Sequence, residues 1–387
     1  RLADQIRDAS AHAQRTVVTI RSAAAELYAL PWELLTLKAS GQHLGALPGV
    51  LLRYEWPETA TAPERPVPRD GPGRVLLAWS AAGGMVPAME HARHIEEACL
   101  AGAVPFSRDR DIVANLSLSR LRATLAAAKK DRQPIAVLHL LAHGGPTRSM
   151  GDSYGLVLDG EGEGGGAVTV DAGRLGQILA PYADMIRLVV LSACDGGNPG
   201  ALGNTLGSTA QMLHRAGIAA VVASRFPLSV RGSIRMTGVL YAQLLGQLAS
   251  LESALCPVRD ALADDAGTID WASVQLYARC ADGFDTRPIL FRPYVGLASY
   301  GVEQRRFYFG RQTLIARLSH KLRSVAQGTG RPQLLCVIGP SGSGKSSLLR
   351  AGLLSLLEQQ PLEEGTVTRT LLFRPDAHPL YALAAQL

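Results

Sequence analysis

Ile186 to Gly197 reads IRLVVLSACDGG. Leu188-Val189-Val190-Leu191 is a short apolar run rich in β-branched residues, the form of a strand buried on both faces of a parallel sheet. The run stops at Ser192-Ala193-Cys194, and Asp195-Gly196-Gly197 is a turn signal. Open α/β sheets place their chemistry at the carboxyl ends of such strands, where Cys194 stands. A single cysteine there is more often a buried packing residue than a nucleophile. The assignment therefore needs a partner.

Pro134 to Gly145, PIAVLHLLAHGG, repeats the form: an apolar run from Ile135 to Leu141, then a polar residue and a glycine turn. His143 is expected to end this strand as Cys194 ends the other. The separation, 194 − 143 = 51 residues, accommodates a crossover helix and makes the two strands parallel neighbours. The two side chains then face each other across adjacent strand ends. A thiol attacks as its thiolate. A neighbouring imidazole takes the proton and later hands it to the leaving amine.

These residues carry a resemblance. LAHGG at Leu141 to Gly145 and LSACDGG at Leu191 to Gly197 resemble the His and Cys motifs of the CHAT family of caspase-like cysteine peptidases. LPWELL at Leu30 to Leu35 and AGIAAVVA at Ala216 to Ala223 are similar to two further segments of that family. The resemblance spans roughly residues 15 to 285. It implies a three-layer α/β/α sandwich and a cysteine endopeptidase, with Cys194 as nucleophile and His143 as general base. The N–H groups of Gly144 and Cys194 are expected to meet the oxyanion. No fixed third catalytic acid is expected. His139, two residues deeper on the same strand face, reads as a packed supporting residue. Asp152 and Asp195 flank the dyad in sequence. Either would select Arg or Lys as part of a substrate pocket, and capping a turn or helix explains each equally well.

With 387 residues, the chain is long enough for two or more domains. Hydrophobic residues at 47% against 19% charged exclude a disordered chain. No apolar run reaches membrane-spanning length, and no signal peptide is visible. The net charge of +6 is dispersed over polar helix faces, a solvated surface with no clear nucleic-acid footprint. Five cysteines without a CxxC pair form neither a disulfide framework nor a zinc pattern, and a reducing cytoplasm suits them. Cys99 shares a helix face with Ala88, Ala92 and Ile95 and is expected in the core. The chain begins without Met and ends inside a helical pattern, so it is expected to be a piece of a longer protein.

The coarse reading is βα alternation in a domain over residues 1–285, its segment 1–72 included. That segment carries a strand at Thr16 to Ile20, an LPWELL helix with Trp32, Leu34 and Leu35 packed, and prolines from Pro57 to Pro72 that break the chain into a connector. The peptidase core is expected to start with strand Val75 to Trp79. Helices follow at Ala88 to Leu100 and Leu118 to Ala128. A hairpin of Tyr154–Asp159 with Val168–Val170 encloses the glycine-rich loop GEGEGGG, Gly160 to Gly166. Asp171 is expected to cap a helix through Leu179. Next come a helix with Leu206, Ala210 and Leu213 ended by Gly217, a strand at Ala220 to Ala223, and a long helix carrying Met236, Leu240, Leu244 and Leu248. A last strand runs from Ser273 to Arg279.

After a linker at 286–292, residues 293–387 hold a second motif. Leu334 to Ile338, with Cys336 inside it, reads as a buried strand. GPSGSGKS at Gly339 to Ser346 fits GxxxxGK[ST], and an apolar helix follows over Leu348 to Leu357. Glycines let backbone N–H groups wrap phosphates at a helix N-terminus. Gly339, Ser341, Gly342, Ser343, Gly344, Lys345, Ser346 and Ser347 are the expected nucleotide contacts, with Lys345 on the phosphates and Ser346 on Mg²⁺. The flanks, Tyr294 to Leu297, Phe307 to Arg311 and Arg374 to Leu380, resemble the start of a STAND-type P-loop NTPase, a switch class. No acidic Walker B strand or sensor follows, so little hydrolysis is expected from this piece.

Together these readings describe a cysteine endopeptidase acting on protein substrates under control of an ATP–Mg²⁺ switch, with self-association or closure of the P-loop part as the physical route. Defence or regulated cell death in bacteria follows by family analogy only. The alternative is a non-proteolytic, nucleotide-gated signalling scaffold in which the caspase-like part only binds partners.

Overall fold

The computed structural model describes residues 5–6, 15–24, 26–38, 40–57, 73–146, 154–162, 165–192, 206–226, 228–279, 287–290, 293–327, 334–360, 362, 370–373 and 377–384. The chain folds as two units, Arg1–Leu290 and Phe291–Leu387. The first is built on an eight-stranded sheet. Its strands are β1 (Thr16–Arg21), β2 (Val50–Glu55), β3 (Arg74–Trp79), β4 (Ile112–Val113), β5 (Ile135–Leu141), β9 (Leu188–Ser192), β10 (Ala220–Ser224) and β11 (Val274–Ala278). The spatial order is β1-β2-β11-β10-β9-β5-β3-β4. β6 (His143–Pro146), β7 (Tyr154–Asp159) and β8 (Ala167–Asp171) form a separate antiparallel sheet.

Both motif strands lie where their composition places them. β5 and β9 are buried along their whole length and pair in parallel. Helices cover both faces of the sheet. On one face Leu138, Leu140, Val189, Leu191 and Val221 join α2 (Leu118–Lys130), α3 (Ala172–Leu179) and α4 (Leu206–Arg215) in the core. On the other, α1 (Ala88–Gly102), α5 (Val230–Tyr241) and α6 (Leu251–Ala263) pack together. Cys99 is buried there with Ala88, Ala92 and Ile95. Asp171 accepts the Arg174 N–H at 2.9 Å and caps α3, while Gly217 ends α4 at φ +105°. These are the local signals the sequence carries.

Several expectations are corrected. β1 and β2 belong to the same sheet as β3, so β3 is not its first strand; β2 joins through β11. β11 runs antiparallel to β10, which ends strict βα alternation. LPWELL is not a helix but a single 3₁₀ turn, Trp32–Leu34. Its buried residue is Glu33, while Leu35 is exposed. Both Glu33 oxygens accept from the Tyr54 hydroxyl, at 2.8 and 2.9 Å, and Arg259 stands 3.7 Å away. These distant partners make a buried carboxylate tolerable. α5 passes into π-helical turns at Ala242–Gly246, and Leu248 lies beyond them at φ +53°, off the helix face. The proline connector at 58–72 lies outside the described residues.

A buried polar chain links α1, β5 and α5. His91 Nδ1 lies 3.2 Å from His139 Nε2, and His139 Nδ1 lies 3.1 Å from the Tyr241 hydroxyl. Thr237 and Ser233 hydroxyls complete the surroundings of His91. His139 is thus a packed residue, as expected. Burial holds His91 at about 3 and His139 well below the usual imidazole range. An unfolded histidine binds its proton near pH ~6.5. The neutral pair therefore contributes its full stability above that pH and loses it as pH falls toward about 3. Denaturant unfolding between pH 7.5 and 4 should show stability declining through this window. His91→Asn should be less stable at neutral pH and show a shallower decline.

Candidate active site

His143 stands at the junction of the two sheets. β5 pairs with β9 up to Leu141 against Ser192, and the Ala142 N–H still donates to the Ser192 carbonyl at 3.2 Å. The chain then leaves the main sheet, and His143 opens β6 opposite Val157. Gly144 and Gly145 are therefore extended strand residues of β6, not the turn their composition suggests. A second sheet thus fixes the backbone on the far side of the histidine.

The His143 side chain is only 8% exposed. A loop after β3, Ser80 to Pro87, packs on its ring. A Cβ on Gly83 would stand 2.8 Å from the His143 Cβ, and one on Gly84 3.2 Å from Nε2. Gly84 also sits at φ +132°, a conformation that other residues rarely adopt. His143 Nε2 lies 3.1 Å from the Met85 carbonyl oxygen. A carbonyl only accepts, so Nε2 carries the proton, and the neutral ring keeps Nδ1 as its acceptor. Met85 itself is 90% exposed. Sequence reasoning missed this loop; its one trace is the Gly83-Gly84 pair at the end of a buried strand.

Cys194, Asp152 and Asp195 lie outside the described residues. Cys194 follows Ser192 by two residues, as His143 follows Leu141. Cys256 is half-buried and Cys336 exposed, whereas Cys99 is buried and burial pushes its thiol up. The glycine-rich loop is anchored. Glu161 accepts from the Ser119 hydroxyl and N–H and from Ser117 Oγ at the start of α2, and the Ser119 bonds hold its carboxyl below the usual range. Among the described residues no cluster of metal-ligating side chains occurs, and no helix is long and apolar enough to cross a membrane.

In the second unit the P-loop glycines bend as the motif requires. Gly342 and Gly344 take φ +75° and +83°, with no atom near where a Cβ would stand. Helical turns follow at Lys345–Ser347, Leu348–Leu354 and Ser355–Gln359. Lys345 Nζ donates to the Gly339 and Pro340 carbonyls, at 2.7 and 2.6 Å. Ser341, Gly342, Ser343 and Ser346 are exposed around the turn. Ser347 is buried and accepts the Tyr300 N–H at 3.1 Å, so its hydroxyl serves the fold. Leu334 to Ile338 is not the buried strand expected. It pairs with no strand among the described residues, Ile338 is 92% exposed, and Cys336 is exposed as well. A strand needs a neighbouring ladder, which an apolar run cannot supply by itself.

The first unit is an α/β/α sandwich with histidine and cysteine motifs beyond two adjacent strand ends, and the second carries a P-loop. The CHAT domain family model matches residues 1–279, and the chain belongs to that family. The model for Novel STAND NTPase 1 matches residues 293–387. No match was found among curated protein sequences. One similar solved structure is the Arg specific cysteine proteinase gingipain R, at 12% identity and TM-score 0.42, covering 71% of this chain and 64% of that one. The match thus spans under two thirds of the gingipain chain. Another, described as a protease, is 10% identical with TM-score 0.42, covering 75% and 68%.

Gly83→Ala should push the His143 ring from its place, because the added methyl meets the His143 Cβ. Histidine side-chain NMR should then lose the signature of an Nε2–H held by a carbonyl. In Gly84→Ala the strained φ should cost about 1–3 kcal/mol in denaturant unfolding.

Proposed function

We propose that this chain is a cysteine endopeptidase in which His143 and Cys194 form the dyad and the P-loop unit governs when it acts. The observation that carries this reading is the Met85 carbonyl on His143 Nε2. It leaves Nδ1 as a proton acceptor at the end of β5, next to the strand that leads into Cys194. In this mechanism Nδ1 takes the Cys194 proton, and the thiolate attacks the scissile carbonyl carbon. The resulting oxyanion is met by the N–H groups of Gly144 and Cys194. Collapse breaks the C–N bond, the imidazolium gives its proton to the departing amine, and a thioester remains. Water, deprotonated by Nδ1, then hydrolyses the thioester and the thiol is restored.

The P-loop geometry suits a polyphosphate. Positive-φ glycines leave space for it, and a flexible lysine stands at the start of the helix. Gly339, Ser341, Gly342, Ser343, Gly344 and Lys345 would hold the phosphates of ATP, with the Ser346 hydroxyl toward Mg²⁺. When bound, the nucleotide supplies charge that can tie loop and helix into one arrangement. Control of the peptidase follows only if ATP binds the active arrangement more tightly than the resting one.

Cys194→Ala should abolish cleavage of a positional peptide library while the protein melts as before; retained turnover would remove the nucleophile assignment. Gly144→Pro, which deletes one oxyanion donor, should lower kcat by about 10²–10³. Site-resolved iodoacetamide labelling should find Cys194 modified faster than the exposed Cys336. Lys345→Ala should leave Cys194 reactive and abolish the response of cleavage to ATP. An unchanged response would reduce the P-loop unit to an assembly module.

A further inference from the structure

Two side chains at the carboxyl edge of the sheet are left unused by the dyad. Ser192 closes β9 and Ser224 closes β10. These strands are parallel neighbours, and each serine lies one step beyond the last paired residues, Leu191 and Ala223. Both serines are 1% exposed, and among the described residues neither Oγ has a hydrogen-bond partner. Other serines at this edge are satisfied. Ser80, after β3, accepts the Ala82 N–H, and Ser273 bonds both backbone groups of Phe226. A buried hydroxyl without a partner destabilises the fold, and two side by side do so twice. Alanine would fit either position without that cost, and the two hydroxyls keep free capacity for a hydrogen-bonding partner.

Both serines point to the face of the sheet that carries His139. Ser192 is in register with Leu141, which alternation puts on the same face as His139. That face meets His91 of α1 and Tyr241 of α5. Ser224 lies two residues past Val222, whose neighbour Val190 is in register with His139. The His143 ring meets the loop leading into α1, on this same side. Among the described residues, those flanking the serines on this face are Leu141, Val190, Val222 and the buried His139, all uncharged. Arg225 follows Ser224 but turns its guanidinium to the Tyr28 and Leu30 carbonyls.

We propose that Ser192 and Ser224 form the recognition floor for a neutral, hydrogen-bonding side chain of the substrate peptide, of the carboxamide class, next to the scissile bond. This rests on the peptidase reading of His143 and Cys194. Each hydroxyl can donate and accept, and a carboxamide offers one acceptor oxygen and one donor nitrogen to match the pair. Among the described residues no counter-charge flanks this floor for an ammonium, guanidinium or carboxylate.

The test uses the full chain, Ser192→Ala and Ser224→Ala, with peptides that differ only in the residue before the scissile bond: Gln, Asn, Glu, Lys or Leu. Cleavage is followed by fluorescence, and binding of the same peptides to the Cys194→Ala protein by anisotropy. Wild type should favour Gln or Asn. Each alanine variant should lower the Gln-to-Leu ratio of kcat/KM by roughly two- to tenfold, with an unchanged or higher Tm. Equal losses on all peptides, or an unchanged ratio, would overturn the floor. A preference for Lys would also overturn it and move selection to Asp152 or Asp195. Carboxamide-selective binding to Cys194→Ala without turnover by wild type would support the floor and remove the peptidase reading. If no peptide is bound or cleaved, both fail.

Discussion

β5 lies beside β9 from Val137 against Leu188 to Leu141 against Ser192, and every other element of the site is placed relative to that ladder. The two strands are buried on both faces, so each backbone group must find its partner in the sheet. A slip by one residue would turn both side-chain sets to the opposite face. It would expose the histidine row to the α2 side and break the polar contacts of His139. Register and chemistry are therefore specified by the same packing. The β3–α1 loop adds the remaining restraint, with two glycines against the His143 ring and a carbonyl on its far nitrogen.

Much of this was legible because it depends on short-range pattern. Largely apolar runs marked β3, β5, β9 and β10, and a side-chain cap and a positive-φ glycine marked the bounds of α3 and α4. What escaped depends on partners far along the chain. Glu33 reads as a surface residue until Tyr54 and Arg259 are brought to it. β2 ends in Arg53-Tyr54-Glu55, which hides a strand whose neighbours come from both ends of the domain. Gly144-Gly145 has the composition of a turn and becomes a strand because β7 lies alongside. α6 contains Pro257, which by itself signals a break. The Met85 carbonyl was invisible for a simpler reason, since every residue has one.

The two units differ in how fully their sequence signals are expressed. In the first, each motif strand finds its neighbours. In the second, the P-loop turn forms from local conformational preference alone, with Gly342 and Gly344 in left-handed conformations. The apolar run before it stays unpaired among the described residues. A loop shaped by glycines needs only its own backbone; a strand needs a sheet.

The antiparallel β11 has a consequence for biosynthesis. Among the described strands, β1 and β2 reach the rest of the sheet only through β11, whose residues leave the ribosome more than two hundred positions after those of β2. Contacts so distant in sequence form late and slowly. The amino-terminal pair must therefore wait, as an unfinished edge, until Val274–Ala278 has emerged. Arg225, which binds carbonyls of Tyr28 and Leu30, cannot be fully seated before then either. Completion of the sheet is thus tied to synthesis of nearly the whole first unit.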